Sequence, residues 1–303
     1  MSETVQTEQI RKRFSSISIT KAVLVTFFAL LPAGAILLII GIADTFSKLR
    51  VEILVGLVLY MIPLLLILYA FRKVDLPLFP ILKNTKTNRH ELLLAIPLIV
   101  FSISVVWVTL LVLNLYDSGI AQGYLDYLNS VDFLVTTPET PFIDYLLIFI
   151  SVAVLAPLLE EIAFRGAMME RFGAKYSYKT AIILSSVIFG ILHIDPAGAF
   201  MFGFIASLIY LKTRSLFVPV MIHLFNNGLI VIFMFFDDRF FQFNTWDEIG
   251  PYVNTGWLGI LLFAGSAAWL GFYIKENWYL VHSRKPFPLE DESNIVQNVS
   301  GEK

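Results

Sequence analysis

The sequence predicts an all-α fold: a polytopic membrane helix bundle of about eight transmembrane helices, with both termini in the cytoplasm. Three observations predict it. Of the 303 residues 57% are hydrophobic, at a mean hydropathy of +0.75, against about 45–50% apolar residues in a soluble domain. The apolar residues gather into eight runs, most of them near or above the ~20 residues a helix needs to cross a bilayer core. None alternates polar and apolar residues as outer-membrane strands do. Lysine and arginine, finally, sort into alternate connections between the runs.

Residues 1–19 are polar, with a basic cluster at Arg11-Lys12-Arg13, and form a cytoplasmic segment. The first run, Thr20–Ala43, is long enough to span and ends in no small-x-small cleavage pattern, so it reads as an anchor that is retained. Val51–Phe71, Leu92–Tyr116 and Phe142–Met169 follow as further spans. Thr180–Ile194 and Ala197–Leu211 are shorter; each reaches only about 22 Å against a hydrocarbon core of about 30 Å. The turn between them, His193-Ile194-Asp195-Pro196, therefore reads as lying inside the membrane beside a wet cavity, where non-helical backbone is tolerated. Leu216–Phe236 and Trp257–Ile274 complete the set. The membrane domain is thus 20–276, with its motif-bearing core at 142–236. Residues 277–303 form a cytoplasmic tail with an acidic run, Glu290-Asp291-Glu292, and a composition typical of disorder.

Placing the N-terminus in the cytoplasm puts all of the 22 lysines and arginines there except Lys48, Arg50 and Arg239. The opposite connection Asp117–Pro141 carries Asp117, Asp126, Asp132 and Glu139 and no base, as a loop on the far side should. A net charge of -2 without a basic patch excludes a nucleic-acid partner. The absence of cysteine excludes disulfides, thiolate nucleophiles and cysteine-ligated metal. The partners that remain are the lipid bilayer and a membrane-associated peptide or protein, and the sequence does not specify an oligomeric state. The location is the cell membrane, read as a bacterial plasma membrane.

Of 24 acidic residues only Glu160 and Glu161 fall well within a run, and of four histidines only His193 and His223 fall within or at the end of one. Ionisable groups at membrane depth are expensive and are functional candidates by default. Glu161 and Arg165 are spaced i,i+4 and can pair on one helix face, while Glu160 is rotated by about 100° and can face elsewhere. Pro157, just ahead, removes a helix hydrogen bond and can bend the segment. His193 follows Phe189 by four residues, and Asn227 follows His223 by four, so each pair shares a face.

Peptide hydrolysis needs a base for water, donors for the oxyanion and an acid for the leaving amine. Glu160, desolvated but facing water, suits the base; His193 can share the water; His223 and Asn227 offer N–H donors. Each residue also has a plainer reading. Glu161 and Arg165 can be a structural pair at a helix end. The histidines can be packed, hydrogen-bonded core residues, and Asn227 can be an interhelical hydrogen bond. Asn226 reads as interhelical glue, and Asp195 before Pro196 as a turn residue. No cofactor is firmly implied, although Glu160, His193 and His223 can be drawn as a His₂Glu zinc site without the usual HExxH spacing. A proton-coupled transporter is an alternative, weakened by the lack of an inverted repeat. A non-catalytic immunity or adaptor protein of the same fold is another.

Glu160-Glu161-x-x-x-Arg165, Phe189-x-x-x-His193 and His223-x-x-x-Asn227 resemble, in order, the three motifs of the CPBP family, the CAAX-protease and bacteriocin-processing (ABI) group. The resemblance implies a glutamate-dependent intramembrane endopeptidase. It assigns water activation to Glu160 with His193, oxyanion stabilisation to His223 and Asn227, and support of the site to Glu161 and Arg165. The prenyl-cysteine substrate does not carry over, because bacterial relatives handle peptides or confer immunity.

Overall fold

The computed structural model describes residues 48–73, 89–130, 136–241 and 248–283. The first apolar run, the N-terminal segment and the tail beyond residue 283 lie outside the described residues. Every regular element among the described residues is helical. Besides short pieces at Arg89–Leu92, Asp237–Phe241 and Leu280–Ser283, they are α1 (Lys48–Lys73), α2 (Ala95–Tyr116), α3 (Ser118–Ser130), α4 (Phe142–Lys175), α5 (Tyr178–Ile191), α6 (Pro196–Thr213), α7 (Phe217–Phe236), α8 (Ile249–Asn254) and α9 (Gly256–Asn277). Helices α1, α2, α4, α6, α7 and α9 are long and apolar enough to cross a membrane. Helix α5 is apolar but shorter, so the described residues contain six full-length candidates where the sequence reading expected about eight spans in the whole chain.

Buried ion pairs gather the helix ends into two groups. At one end Lys212 meets Glu91 at 2.6 Å, and Arg214 meets the fully buried Glu170 at 3.5 Å. Tyr178 and Tyr210 both donate to Glu170, at 2.8 and 2.9 Å. Arg214 closes α6 in the left-handed conformation, φ 52°, which helix C-caps usually reserve for glycine. This end ties the last turn of α4 to the first turn of α5 and the last of α6. At the opposite end Arg50 grips Asp144 with two bonds of 2.9 and 3.1 Å, Tyr145 donates to Asp238, and Arg239 donates to the Thr140 carbonyl. Two of the three bases that the sequence reading placed on the far side thus neutralise or cap neighbouring helix ends.

Helices α5 and α6 form a tight antiparallel hairpin. Gly190 permits it: a Cβ there would stand 2.6 Å from the Pro196 carbonyl oxygen. Asp195 caps α6 by accepting from the Gly198 amide at 3.0 Å, which confirms its reading as a turn residue. It also accepts from the Ser102 hydroxyl on α2. Ser102 lies about 10 Å along α2 from its start, so the hairpin turn rests beside the interior of α2 and not beside its end. Helix α3, capped by the Asp117 carboxylate at Gly119 and Ile120, packs back along α2 with Ala121 and Leu125 buried. It brings Tyr124 towards the same turn, and burial followed by the Asp195 carboxylate raises that phenol's pKa.

Helix α4 is not a uniform helix. It is π-helical over Phe149–Leu155 and again over Ile162–Met169, with an α-helical piece, Ala156–Glu161, between them. The Ala156 amide reaches back five residues to the Ser151 carbonyl. π-Stretches of this kind recur at functional positions because they re-aim side chains within an otherwise continuous helix. Pro157 sits where the first gives way to the α-helical piece.

Candidate active site

Three elements deliver the polar side chains. The short α-helical piece of α4 carries Glu160 and Glu161, the turn that follows α5 carries His193, and α7 carries His223 and Asn227. The structure brings both imidazoles to one carboxylate oxygen: His193 Nε2 and His223 Nε2 lie 3.6 and 3.7 Å from Glu160 Oε2. Each ring is held by its other nitrogen. His193 Nδ1 is 2.6 Å from the Phe189 carbonyl, and His223 Nδ1 is 2.9 Å from Glu161 Oε1. Those partners are acceptors, so each Nδ1 carries a proton and the two Nε2 atoms are the ones presented to Glu160.

Exposure is graded across the group. The side chains of His193 and Glu160 are 33% and 18% exposed, whereas His223 is at 5% and Glu161 at 0%. The open side is therefore at Glu160 and His193. Ile191, Leu192 and Ile194, which flank His193, are exposed apolar side chains.

Glu161 and Arg165 are among the most buried charges in the protein, at 0% and 1% exposed. Arg165 Nη1 donates to Glu161 Oε1 at 2.8 Å, the oxygen that His223 also holds. The guanidinium is boxed by rings, 4.7 Å from the centroid of Phe189, 5.7 Å from Phe202 and 5.9 Å from Phe164. Cation–π contact of this kind strengthens as water is removed. Phe189 also stacks on His193 at 4.2 Å, so one ring supports both the arginine and the His193 imidazole. Gly203 on α6 makes room for the box: a Cβ there would stand 3.3 Å from Arg165 Nη2 and 3.2 Å from Ser186 Cα. Gly203→Val is expected to destabilise the protein by about 1–3 kcal/mol through overpacking, read as a lowered thermal midpoint of the purified protein.

Asn227 does not reach Glu160 through a hydrogen bond. Its side-chain amide donates to the Val152 carbonyl in α4 at 3.0 Å. Asn226 donates to Asn227 Oδ1 at 3.3 Å. The interhelical bond is thus made by Asn227, in line with its plainer reading, whereas Asn226, read as interhelical glue, bonds to its neighbour on the same helix. Two features of the site went unread in the sequence. Tyr60 on α1 lies within electrostatic range of Glu160, and Phe164 and Phe202 join Phe189 around Arg165. Phe164 is adjacent to Arg165 in sequence, but nothing in the sequence marks Tyr60 or Phe202 among so many aromatic residues. Among the described residues no group of three or more histidine, aspartate or glutamate side chains is arranged to hold a metal ion.

Fold and site together define a polytopic membrane protein with a carboxylate–imidazole cluster set into the interior of its helix bundle. The segment that carries the cluster, residues 142–229, matches the family model of Rce1-like type II CAAX prenyl endopeptidases. A Bacillus subtilis protein named as a membrane peptidase, YdiL, is 36% identical over 90 residues, 29% of this chain and 36% of the relative. The membrane-embedded CAAX protease MroQ of Staphylococcus aureus is 39% identical over 92 residues, 27% of this chain and 37% of the relative. The chain thus matches little more than a third of the length of these relatives. No solved structure matches it. The apolar helices and these bacterial relatives make it a multi-pass bacterial membrane protein.

Proposed function

We propose that the protein is an intramembrane endopeptidase that hydrolyses a peptide bond in a membrane-associated peptide or protein, using water activated by Glu160 and His193. The observation that carries this reading is the convergence of two imidazole Nε2 atoms on Glu160 Oε2 at 3.6 and 3.7 Å. These separations are too long for direct hydrogen bonds and leave the carboxylate available to a water molecule. In this reading His193, its Nδ1 proton held by Phe189, orients the water through Nε2. Glu160 takes its proton as oxygen attacks the scissile carbonyl, then returns that proton to the leaving amine.

His223 donates from Nε2 to the tetrahedral oxyanion. That role requires protons on both ring nitrogens. An imidazolium between Glu160 and Glu161 also makes the charges of Glu160, Glu161, Arg165 and His223 sum to zero, which a desolvated cluster favours. The resemblance gives Asn227 a share of the oxyanion; one of its two N–H bonds is engaged by Val152, so only the second is left for it. Glu161 and Arg165 act as support, holding His223 by its Nδ1.

The reading places the basic end of the bundle in the cytoplasm and the site in that half of the membrane. The chain has no cysteine, so a single Ile194→Cys can be probed cleanly. It is expected to react slowly with an impermeant thiol reagent added outside intact cells, and rapid labelling would move the hairpin turn to the outer surface. The test of function is comparative peptidomics on membranes carrying the native protein or Glu160→Gln. A peptide processed only by the native form identifies both activity and substrate, and indistinguishable profiles would overturn the reading. Purified protein acting on that peptide is expected to retain its rate after chelation. A loss restored by added zinc would instead make Glu160, His193 and His223 metal ligands.

A further inference from the structure

Pro157 has no amide hydrogen, and that defect has a specific recipient. In α4 the Val152 carbonyl has two helical donors within reach, the amide four residues on, at Ala156, and the amide five residues on, at residue 157. The Ala156 amide is bonded to Ser151. Residue 157 is proline and donates nothing. Val152 is therefore a backbone acceptor in the bundle interior with no helical partner, an arrangement that is costly where water does not reach. Its partner is the Asn227 side chain, at 3.0 Å from the facing helix α7.

The orientation of that amide is fixed at its other end. Asn227 Oδ1 accepts from Asn226, so Nδ2 is the atom turned to Val152. The helices touch closely here: a Cβ on Gly228 would stand 3.3 Å from the Phe149 ring. His223 lies one turn before Asn227, on the same face of α7, and meets Glu160 and Glu161 about two turns beyond Val152 and one turn beyond Pro157 on α4.

We infer that Pro157 is a positioning residue: by stripping the Val152 carbonyl of its helical donor it creates the anchor that Asn227 grips, and this sets the register in which His223 meets the two glutamates. The meaning of that register for hydrolysis rests on the proposed function, but the latch itself does not. The proline and the asparagine are thus one device split between two helices, and each loses its purpose without the other.

A double-mutant cycle in the full-length protein, purified in detergent, tests this without any substrate. Native protein, Asn227→Ala, Pro157→Ala and the double variant are compared by thermal midpoint and by the imidazole ¹⁵N signals of labelled histidine, with His223 assigned by its loss in His223→Gln. Asn227→Ala is expected to lower the midpoint and shift the His223 signals in the native background. In the Pro157→Ala background, where residue 157 supplies an N–H to the freed carbonyl, both changes should shrink to less than half. Equal changes in the two backgrounds, or unmoved His223 signals, would overturn the inference. Should Pro157→Ala fail to fold, Asn227→Leu in the native background decides. It matches asparagine in size and lacks the donor, so it must shift the His223 signals as alanine does, and native signals would refute the latch. Protein that processes its peptide yet shows additive changes refutes the latch alone; coupled changes in protein without peptidase activity refute the proposed function alone.

Discussion

Glu160→Gln is expected to reduce processing of the native substrate by about 10²–10⁴-fold, the range over which a positioned general acid–base group contributes. Glutamine keeps the shape of the side chain and its hydrogen-bonding capacity, and Glu160 sits on the more exposed side of the cluster at 18%. The thermal midpoint should therefore change little while turnover collapses. That separation distinguishes chemistry from support. His193→Gln should lose turnover in the same way, since its Nε2 faces the same carboxylate oxygen and its Nδ1 is bonded only to backbone. Processing at the native rate by Glu160→Gln would exclude this carboxylate as the base and return the site to a structural or transport role.

Arg165→Met should have the opposite profile. Arg165 and Glu161 are 1% and 0% exposed and share a 2.8 Å bond, and removing the arginine leaves the buried Glu161 with His223 alone to compensate its charge. The expected loss is about 3–5 kcal/mol of stability, seen as a large drop in thermal midpoint and in the yield of folded protein. The aromatic box adds to it, since three rings that face a guanidinium would then face a thioether. The double variant Glu161→Gln/Arg165→Met removes both charges and should be less destabilised than Arg165→Met alone. A single variant as stable as the native protein, or a double variant worse than the sum of the two, would show that the pair does not support the site in this way.

The helical class and the candidate polar residues were legible because the membrane makes polarity rare. Against runs of leucine, isoleucine and phenylalanine, two adjacent glutamates and two histidines stand out without any alignment. The i,i+4 spacing of Glu161 with Arg165 predicted a bond that the structure contains. Asp195 was legible as a turn residue for a similarly local reason, because a carboxylate ahead of proline caps the helix that follows. Span lengths were legible only to within a few residues. Thr180–Ile194 read as one run, but the helix ends at Ile191 and His193 lies in the turn, since Gly190 lets the chain fold back early.

What the neighbours of each residue are was not legible. Helical spacing puts Asn227 on the face of His223, but does not say that its amide turns to a backbone carbonyl 75 positions away. Asn226 and Asn227 are chemically identical, and only the packing of α7 on α4 decides which of them crosses. Tyr60 and Phe202 are two aromatic residues among 44, and their proximity to the charges depends on how separate helices cross.

The sequence by itself determined the apolar helices, the positions of the few ionisable groups within them and the local pairs one turn apart, because hydropathy and the 3.6-residue period act along a single segment. Only the tertiary structure decided that Glu160 meets both imidazoles, that Glu161 bridges Arg165 to His223, and that the carbonyl freed by Pro157 is taken by Asn227. Those contacts join separate helices, and their distances follow from how whole faces pack, which no single segment contains.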